Sequence, residues 1–151
     1  MNAASTILIA EDDDGHAQLV ERNLKRAGVT DEIVRVVDGQ QALEFIYGQG
    51  SFAAASVHRP WLVLLDVNMP KLDGVEVLRR LKADPRHQPL PVIMLTTTDD
   101  SREIAACYEL GCSCYITKPI DYDEFVETIR RLAYFLQIVS KPAGRVSVAT
   151  N

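Results

Sequence analysis

The sequence predicts an α/β domain, five β-α units around one parallel sheet with helices on both faces. Three observations carry this expectation. Five short apolar runs punctuate the chain: TILIA at 6–10, EIVRVV at 32–37, WLVLLD at 61–66, PVIMLT at 91–96 and CYIT at 114–117. Segments with helical periodicity alternate with them. Two of the runs, LVLL and VIML, are continuously apolar, as a strand buried on both faces must be and a half-solvated strand need not be. The 151 residues, 47% hydrophobic and 25% charged, suffice for one domain that buries most of its apolar surface.

The elements follow in order. TILIA ends in the acidic run Glu11 to Asp14 and leads into a helix with Ala17, Val20, Leu24 and Ala27 on one face. EIVRVV meets an Asp38-Gly39 turn and a helix from about Gln40 to Tyr47, after which GQGSFAAASVHRP, Gly48 to Pro60, reads as a surface loop. WLVLLD ends on Asp66, where Asn68 and Pro70 turn the chain into a helix marked by Val75, Leu78 and Leu81. PVIMLT ends in Thr96 with Thr97 and Thr98 behind it, and Ile104, Ala105 and Tyr108 mark the fourth helix. CYIT runs into TKPI with Lys118, and the last helix carries Phe125, Ile129, Leu132 and Leu136 on one face.

Bulk properties exclude several function classes. The net charge is −5 and the sequence pI about 5.2, so no basic footprint exists for nucleic acid. No apolar run approaches the roughly 20 residues that span a bilayer, and the acidic start lacks a signal peptide's basic region, which points to the cytoplasm and away from membranes. Cys107, Cys112 and Cys114 lack zinc-ribbon spacing and read as small buried hydrophobes. His16, His58 and His87 are scattered, without the spacing of a structural zinc site.

In open parallel sheets ligands gather beyond the C-terminal strand ends, and there the sequence collects Glu11 to Asp14, Asp66, Thr96 and Lys118. Taken singly each has a bland reading: acids favour a helix N-terminus, threonine favours strands, and a lysine before proline is ordinary surface. Together they give clustered carboxylates, a hydroxyl and an ammonium. Crowded carboxylates repel unless a cation intervenes, and a hard divalent ion such as Mg²⁺ fits an oxygen donor set. Lys118 and Thr96 suit phosphoryl oxygens, and Asp66 suits a nucleophile that takes up a phosphoryl group.

The segments ILIAEDD, LVLLDVNMPKLDG, PVIMLTT and YITKP, in that order, resemble the receiver domain of two-component response regulators over residues 5 to 138. The resemblance implies a flavodoxin-like (βα)5 three-layer sandwich with strand order 2-1-3-4-5. It implies that Asp66 is the phosphoacceptor for a sensor histidine kinase. It further implies that Glu11, Asp12, Asp66 and Asn68 hold Mg²⁺ (or another divalent cation such as Mn²⁺), Asn68 through its backbone carbonyl and Glu11 mainly through a water. Thr96 and Lys118 would contact the phosphoryl oxygens, Tyr115 would be the switching aromatic, and the Lys118-Pro119 bond would be cis. Glu11 stands for the more usual Asp, and Thr97 where most receivers carry Ala, Gly or Ser. The chain further resembles single-domain regulators paired with bacterial phytochrome kinases, which makes a bacteriophytochrome the implied kinase.

On this reading residues 1–138 form the receiver domain and 139–151 a short tail without an output domain, so the output is a protein contact, not catalysis on a separate substrate. Tyr134, Phe135 and Ile138 lie away from the buried stripe of the last helix, at ~100° per residue, and are the expected homodimer contact. Two alternatives stand beside it: a phosphorylation-independent binding module of the same fold, and a Mg²⁺-dependent phosphohydrolase, which EDDDG matches poorly for want of a Thr.

Overall fold

The computed structural model describes residues 5–53 and 59–141. Ten elements alternate: β1 (Thr6–Ala10), α1 (Asp14–Arg26), β2 (Glu32–Val36), α2 (Gly39–Tyr47), β3 (Leu62–Leu65), α3 (Gly74–Ala83), β4 (Val92–Thr96), α4 (Ser101–Leu110), β5 (Cys114–Thr117) and α5 (Tyr122–Ile138). The strands form one parallel sheet in the order β2-β1-β3-β4-β5, so the expected flavodoxin-like topology is observed. The chain starts in the middle, steps to β2, then reverses toward β5. Right-handed crossovers put α1 on one face and α2, α3 and α4 on the other, and α5 returns to pack on α1.

The uninterrupted apolar strands serve both layers at once. Leu8, Val63, Leu65, Val92 and Met94 face the core shared with α2, α3 and α4, while Ile7, Ile9, Leu62, Leu64, Ile93 and Leu95 face the core under α1 and α5. Each strand thus alternates between two interiors. The edge strand β2 is only partly buried and carries the charged Arg35.

Every helix opens on an aspartate. Asp13, Asp38, Asp73, Asp100 and Asp121 each accept a backbone N–H from the first turn of the helix that follows, satisfying a donor that has no partner within the helix. Gly48 closes α2 in the left-handed conformation, and a 3₁₀ turn at Gly50–Phe52 folds Phe52 against Phe45. The first part of the expected surface loop is therefore structured. Residues 54–58, with His58, and 142–151 of the tail lie outside the described residues.

The face expected for α4 is displaced. Cys107 is its buried residue, while Ala105 and Tyr108 are exposed, because Tyr108 extends along the edge strand β5, where its hydroxyl accepts the Tyr115 N–H at 3.0 Å. Two of the cysteines match their bland reading, and Cys114 is only partly buried. All three are free, Cys107 and Cys112 are buried, and burial pushes the Cys112 thiol up to about 11.

Two glycines let the β3-α3 connection close tightly. A Cβ on Gly39 would lie 2.1 Å from the Leu72 carbonyl oxygen, and one on Gly74 would lie 2.0 Å from the Asp66 carbonyl oxygen. Both obstacles are backbone, which cannot rotate away. Gly74→Ala gains at most ~1 kcal/mol in helix propensity, but the clash forces a backbone shift that costs more. A net loss of about 2 kcal/mol is expected, read as a lower urea midpoint at unchanged slope.

Candidate functional site

The reversal in strand order makes β1 and β3 neighbours, and their C-terminal ends deliver Glu11, Asp12 and Asp66 to one rim. The register is locked by backbone bonds from Glu11 N–H to Val36 O at 3.0 Å and from Asp66 N–H to Ala10 O at 3.1 Å. Glu11 and Asp66 are buried and Asp12 is exposed. Carboxylate oxygens of the three lie within 4.8 Å of one another.

Lys118 enters from β5, its backbone N–H donating to Thr96 O at 2.7 Å. The ammonium is buried, with the side chain 1% exposed, and it donates to Glu11 Oε1 and, at 3.2 Å, to Asp66 Oδ2. An ammonium has three N–H groups and no lone pair. The third N–H meets His16 Nδ1 at 3.0 Å.

Charge is not balanced by these groups alone. Burial pushes the Glu11 carboxyl up to about 7; the Lys118 hydrogen bond and charge oppose this and the Asp66 charge adds to it. With all three acids ionised, one ammonium leaves two negative charges uncompensated in a poorly solvated place. An oxygen-only donor set carrying that excess fits a hard divalent cation, and Glu11, Asp12 and Asp66 are the side chains that would hold it.

Neighbouring residues fix the rim. Arg35 Nε donates to the Glu11 carbonyl at 2.9 Å and its Nη1 to Asp14 at 2.8 Å, tying the β1-α1 loop to the edge strand. Asn68 N–H donates to Asp66 Oδ1 at 3.3 Å, and Gly74 N–H to Val67 O at 2.8 Å. Across the rim, Asn68 Nδ2 donates to Thr98 Oγ1 at 3.1 Å, and Thr98 N–H reaches the buried Thr96 hydroxyl at 3.5 Å. Tyr115 packs inward against the α2-α4 core and donates its hydroxyl to Thr98 O at 2.9 Å.

The sequence-predicted residues thus divide. Glu11, Asp12, Asp66 and Lys118 converge within bonding or near-bonding distance; Asn68, Thr96 and Tyr115 ring them through Thr98. Tyr134, Phe135 and Ile138 lie apart on α5, 55%, 52% and 80% exposed. The expected cis bond is a correction, because the Lys118-Pro119 peptide is trans, the form favoured by ≈ 0.5–1 kcal/mol for X-Pro. Sequence reasoning missed Arg35 and Thr98, whose contacts depend on strand order, and it saw in His16 only the lack of zinc spacing.

A response regulator receiver domain model matches residues 7–130. Response regulator Rcp1 of Synechocystis sp. is 34% identical over 144 residues, which cover 95% of this chain and 97% of Rcp1. The crystal structure of its Mn²⁺-bound form superposes with a TM-score of 0.86, covering 92% of this chain and 99% of Rcp1. That of the phosphorylated cyanobacterial phytochrome response regulator RcpA gives 0.85 at 34% identity, covering 93% and 100%. With strand order, rim and relatives in agreement, the chain belongs to the response regulator receiver domain family.

Proposed function

We propose that this receiver domain is a phosphorylation-driven signalling switch that takes a phosphoryl group from a sensor histidine kinase onto Asp66. The observation that carries the reading is the buried Lys118 ammonium on Asp66 Oδ2, with Glu11 and Asp12 converging on the same carboxylate. An Asp66 oxygen attacks the phosphorus of the kinase's phosphohistidine, a P–O bond forms, the P–N bond breaks, and the imidazole leaves. Such transfer depends on positioning and on neutralising the equatorial oxygens. Lys118 turns its Asp66-directed N–H toward a phosphoryl oxygen, and Thr96 donates its hydroxyl to another. Glu11, Asp12, Asp66 and the Asn68 carbonyl would hold a divalent cation, which would supply the remaining neutralisation, a role supported by the Mn²⁺-bound form of Rcp1.

The chemistry is confined to the protein's own side chain, so the output is a change of surface. A phosphoryl group brings about −1.5 to −2 charge. It draws Thr96, and with it the Thr98 segment, whose carbonyl holds the Tyr115 hydroxyl. Tyr115 therefore reports the charge on Asp66 to the α4-β5 surface. The naming of RcpA as a phytochrome response regulator supports a phytochrome-class kinase as the donor. Tyr134, Phe135 and Ile138 form an exposed apolar strip on α5 that suits a homodimer contact.

Incubation with acetyl phosphate and Mg²⁺ should add one phosphoryl group by intact mass, and none in Asp66→Asn or with EDTA. Absence of the adduct with Mg²⁺ present would leave the phosphorylation-independent binding module instead. Tyr134→Glu combined with Ile138→Glu should lower the solution mass by light scattering to that of one chain; an unchanged mass removes the dimer contact.

Tyr115 gives a pH test. Burial, reinforced by the charges of Glu103 and Asp66 among others, pushes its phenol up to about 12 from the ordinary 10.0. The fold favours the protonated phenol, so its contribution is complete below pH 10 and fades as pH rises toward 12. Burial also pushes the Tyr47 phenol up, so ultraviolet titration should show a late-ionising tyrosine component whose last part is missing in Tyr115→Phe.

A further inference from the structure

We propose that His16 is a positioning residue for this site, its neutral imidazole accepting one N–H of Lys118 and thereby aiming the other two at the carboxylates. The inference rests on the phosphoacceptor reading of Asp66.

Lysine ends in a point charge on a flexible four-carbon stem, and its three N–H groups rotate freely unless each finds an acceptor. Glu11 and Asp66 take two. The third, at 3.0 Å from His16 Nδ1, fixes the rotation of the ammonium. Because Lys118 can only donate, Nδ1 carries no proton, and the neutral ring carries its hydrogen on Nε2.

The ring is itself held from two elements. Its backbone N–H donates to the Asp13 carboxylate at 2.9 Å, which anchors it in the first turn of α1. Its plane meets Phe125 of α5 edge to face, with centroids 5.6 Å apart at 79°, and Phe125 is buried between α1 and α5. His16 is only partly buried, so simple core packing does not explain a ring turned toward the ammonium.

Neutrality matters to the reaction. A third carboxylate at this place would orient Lys118 but also draw on its charge. An imidazole orients it and leaves that charge for the incoming phosphoryl oxygens. When Asp66 is modified, its bond to Lys118 passes to a phosphoryl oxygen while the His16 bond keeps the ammonium in place.

Two substitutions separate orientation from packing. His16→Phe keeps a ring against Phe125 and deletes the acceptor; His16→Asn deletes the ring and keeps an acceptor at the δ position. With acetyl phosphate and Mg²⁺, His16→Phe should lower the maximal phosphorylation rate about tenfold, the scale of one lost hydrogen bond to a charged group, at unchanged half-saturating donor concentration. His16→Asn should stay within about twofold of wild type on the same scale. Circular dichroism should show both folded. Long-range ¹H–¹⁵N spectra of the wild type should show His16 as the Nε2–H tautomer.

Equal rates for His16→Phe and wild type, equal loss in both variants, or an Nδ1–H tautomer would overturn the positioning role while leaving the phosphoacceptor intact. A wild-type protein that takes up no phosphoryl group would remove the phosphoacceptor reading and this role with it.

Discussion

Burying an ammonium is the constraint around which this molecule is arranged. Lys118 is 3% exposed, and taking such a charge out of water costs several kcal/mol unless each N–H is met and an opposite charge is near. The partners come from far along the chain: Glu11 from the end of β1, Asp66 from the end of β3, His16 from the first turn of α1. A parallel sheet puts the C-terminal ends of β1, β3 and β5 along one edge, and the order β2-β1-β3-β4-β5 brings their residues together there. Two opposed charges in one place resist collapse into any packing that separates them. The same arrangement leaves an excess of negative charge that a divalent cation can satisfy, so the interaction that completes the rim also makes it receptive.

The acidic run Glu11 to Asp14 shows how structural and chemical demands share neighbouring residues. Glu11 and Asp12 belong to the carboxylate cluster, Asp13 caps α1 through His16 N–H, and Asp14 stands in the first helical turn and pairs with Arg35 at 2.8 Å. The helix-terminus reading of such a run describes Asp13 and Asp14, while Glu11 and Asp12 are drawn into the carboxylate cluster instead. Elsewhere capping recurs away from the site: Asp38, which also faces the Lys71 ammonium at 3.8 Å, Asp73, Asp100 and Asp121 start their helices. Capping thus accounts for five of the chain's aspartates without site chemistry, and the acids left at the strand ends are the ones that need another explanation.

Much of the fold was legible because burial on two faces leaves a strong trace. LVLL and VIML have no polar position, and the structure sends their alternate residues into separate cores. The stripe Phe125, Ile129, Leu132 and Leu136 is buried along α5 as its period implies. The α4 face was not legible, because its pattern is weak and Tyr108 is held by a hydrogen bond to the edge strand instead of by burial. Strand-end residues could be collected by position alone, which gathered Glu11, Asp66, Thr96 and Lys118. Arg35, Thr98 and the role of His16 escaped, since each acts through a contact across strands or between helices, and no spacing in the chain encodes which loops will meet.

The rim has two connections, one toward each face of the sheet. On one side Asn68 holds Thr98, and Thr98 holds the Tyr115 hydroxyl, through bonds of 3.1 and 2.9 Å. On the other Lys118 holds His16, whose ring rests on Phe125 at the start of α5. On the proposed reading, a charge added to Asp66 would act on both, because it would compete for the Lys118 ammonium and for the threonine segment at once. Transmission needs an element with two discrete arrangements. Tyr115 qualifies best: its aromatic body packs against the α2-α4 core while its hydroxyl depends on a single carbonyl, so losing that bond frees a large side chain at an edge strand. The His16 connection is stiffer, being fixed at its backbone by Asp13 and at its ring by Phe125. On the proposed reading the two sides therefore differ in kind, one holding the ammonium still while the other moves.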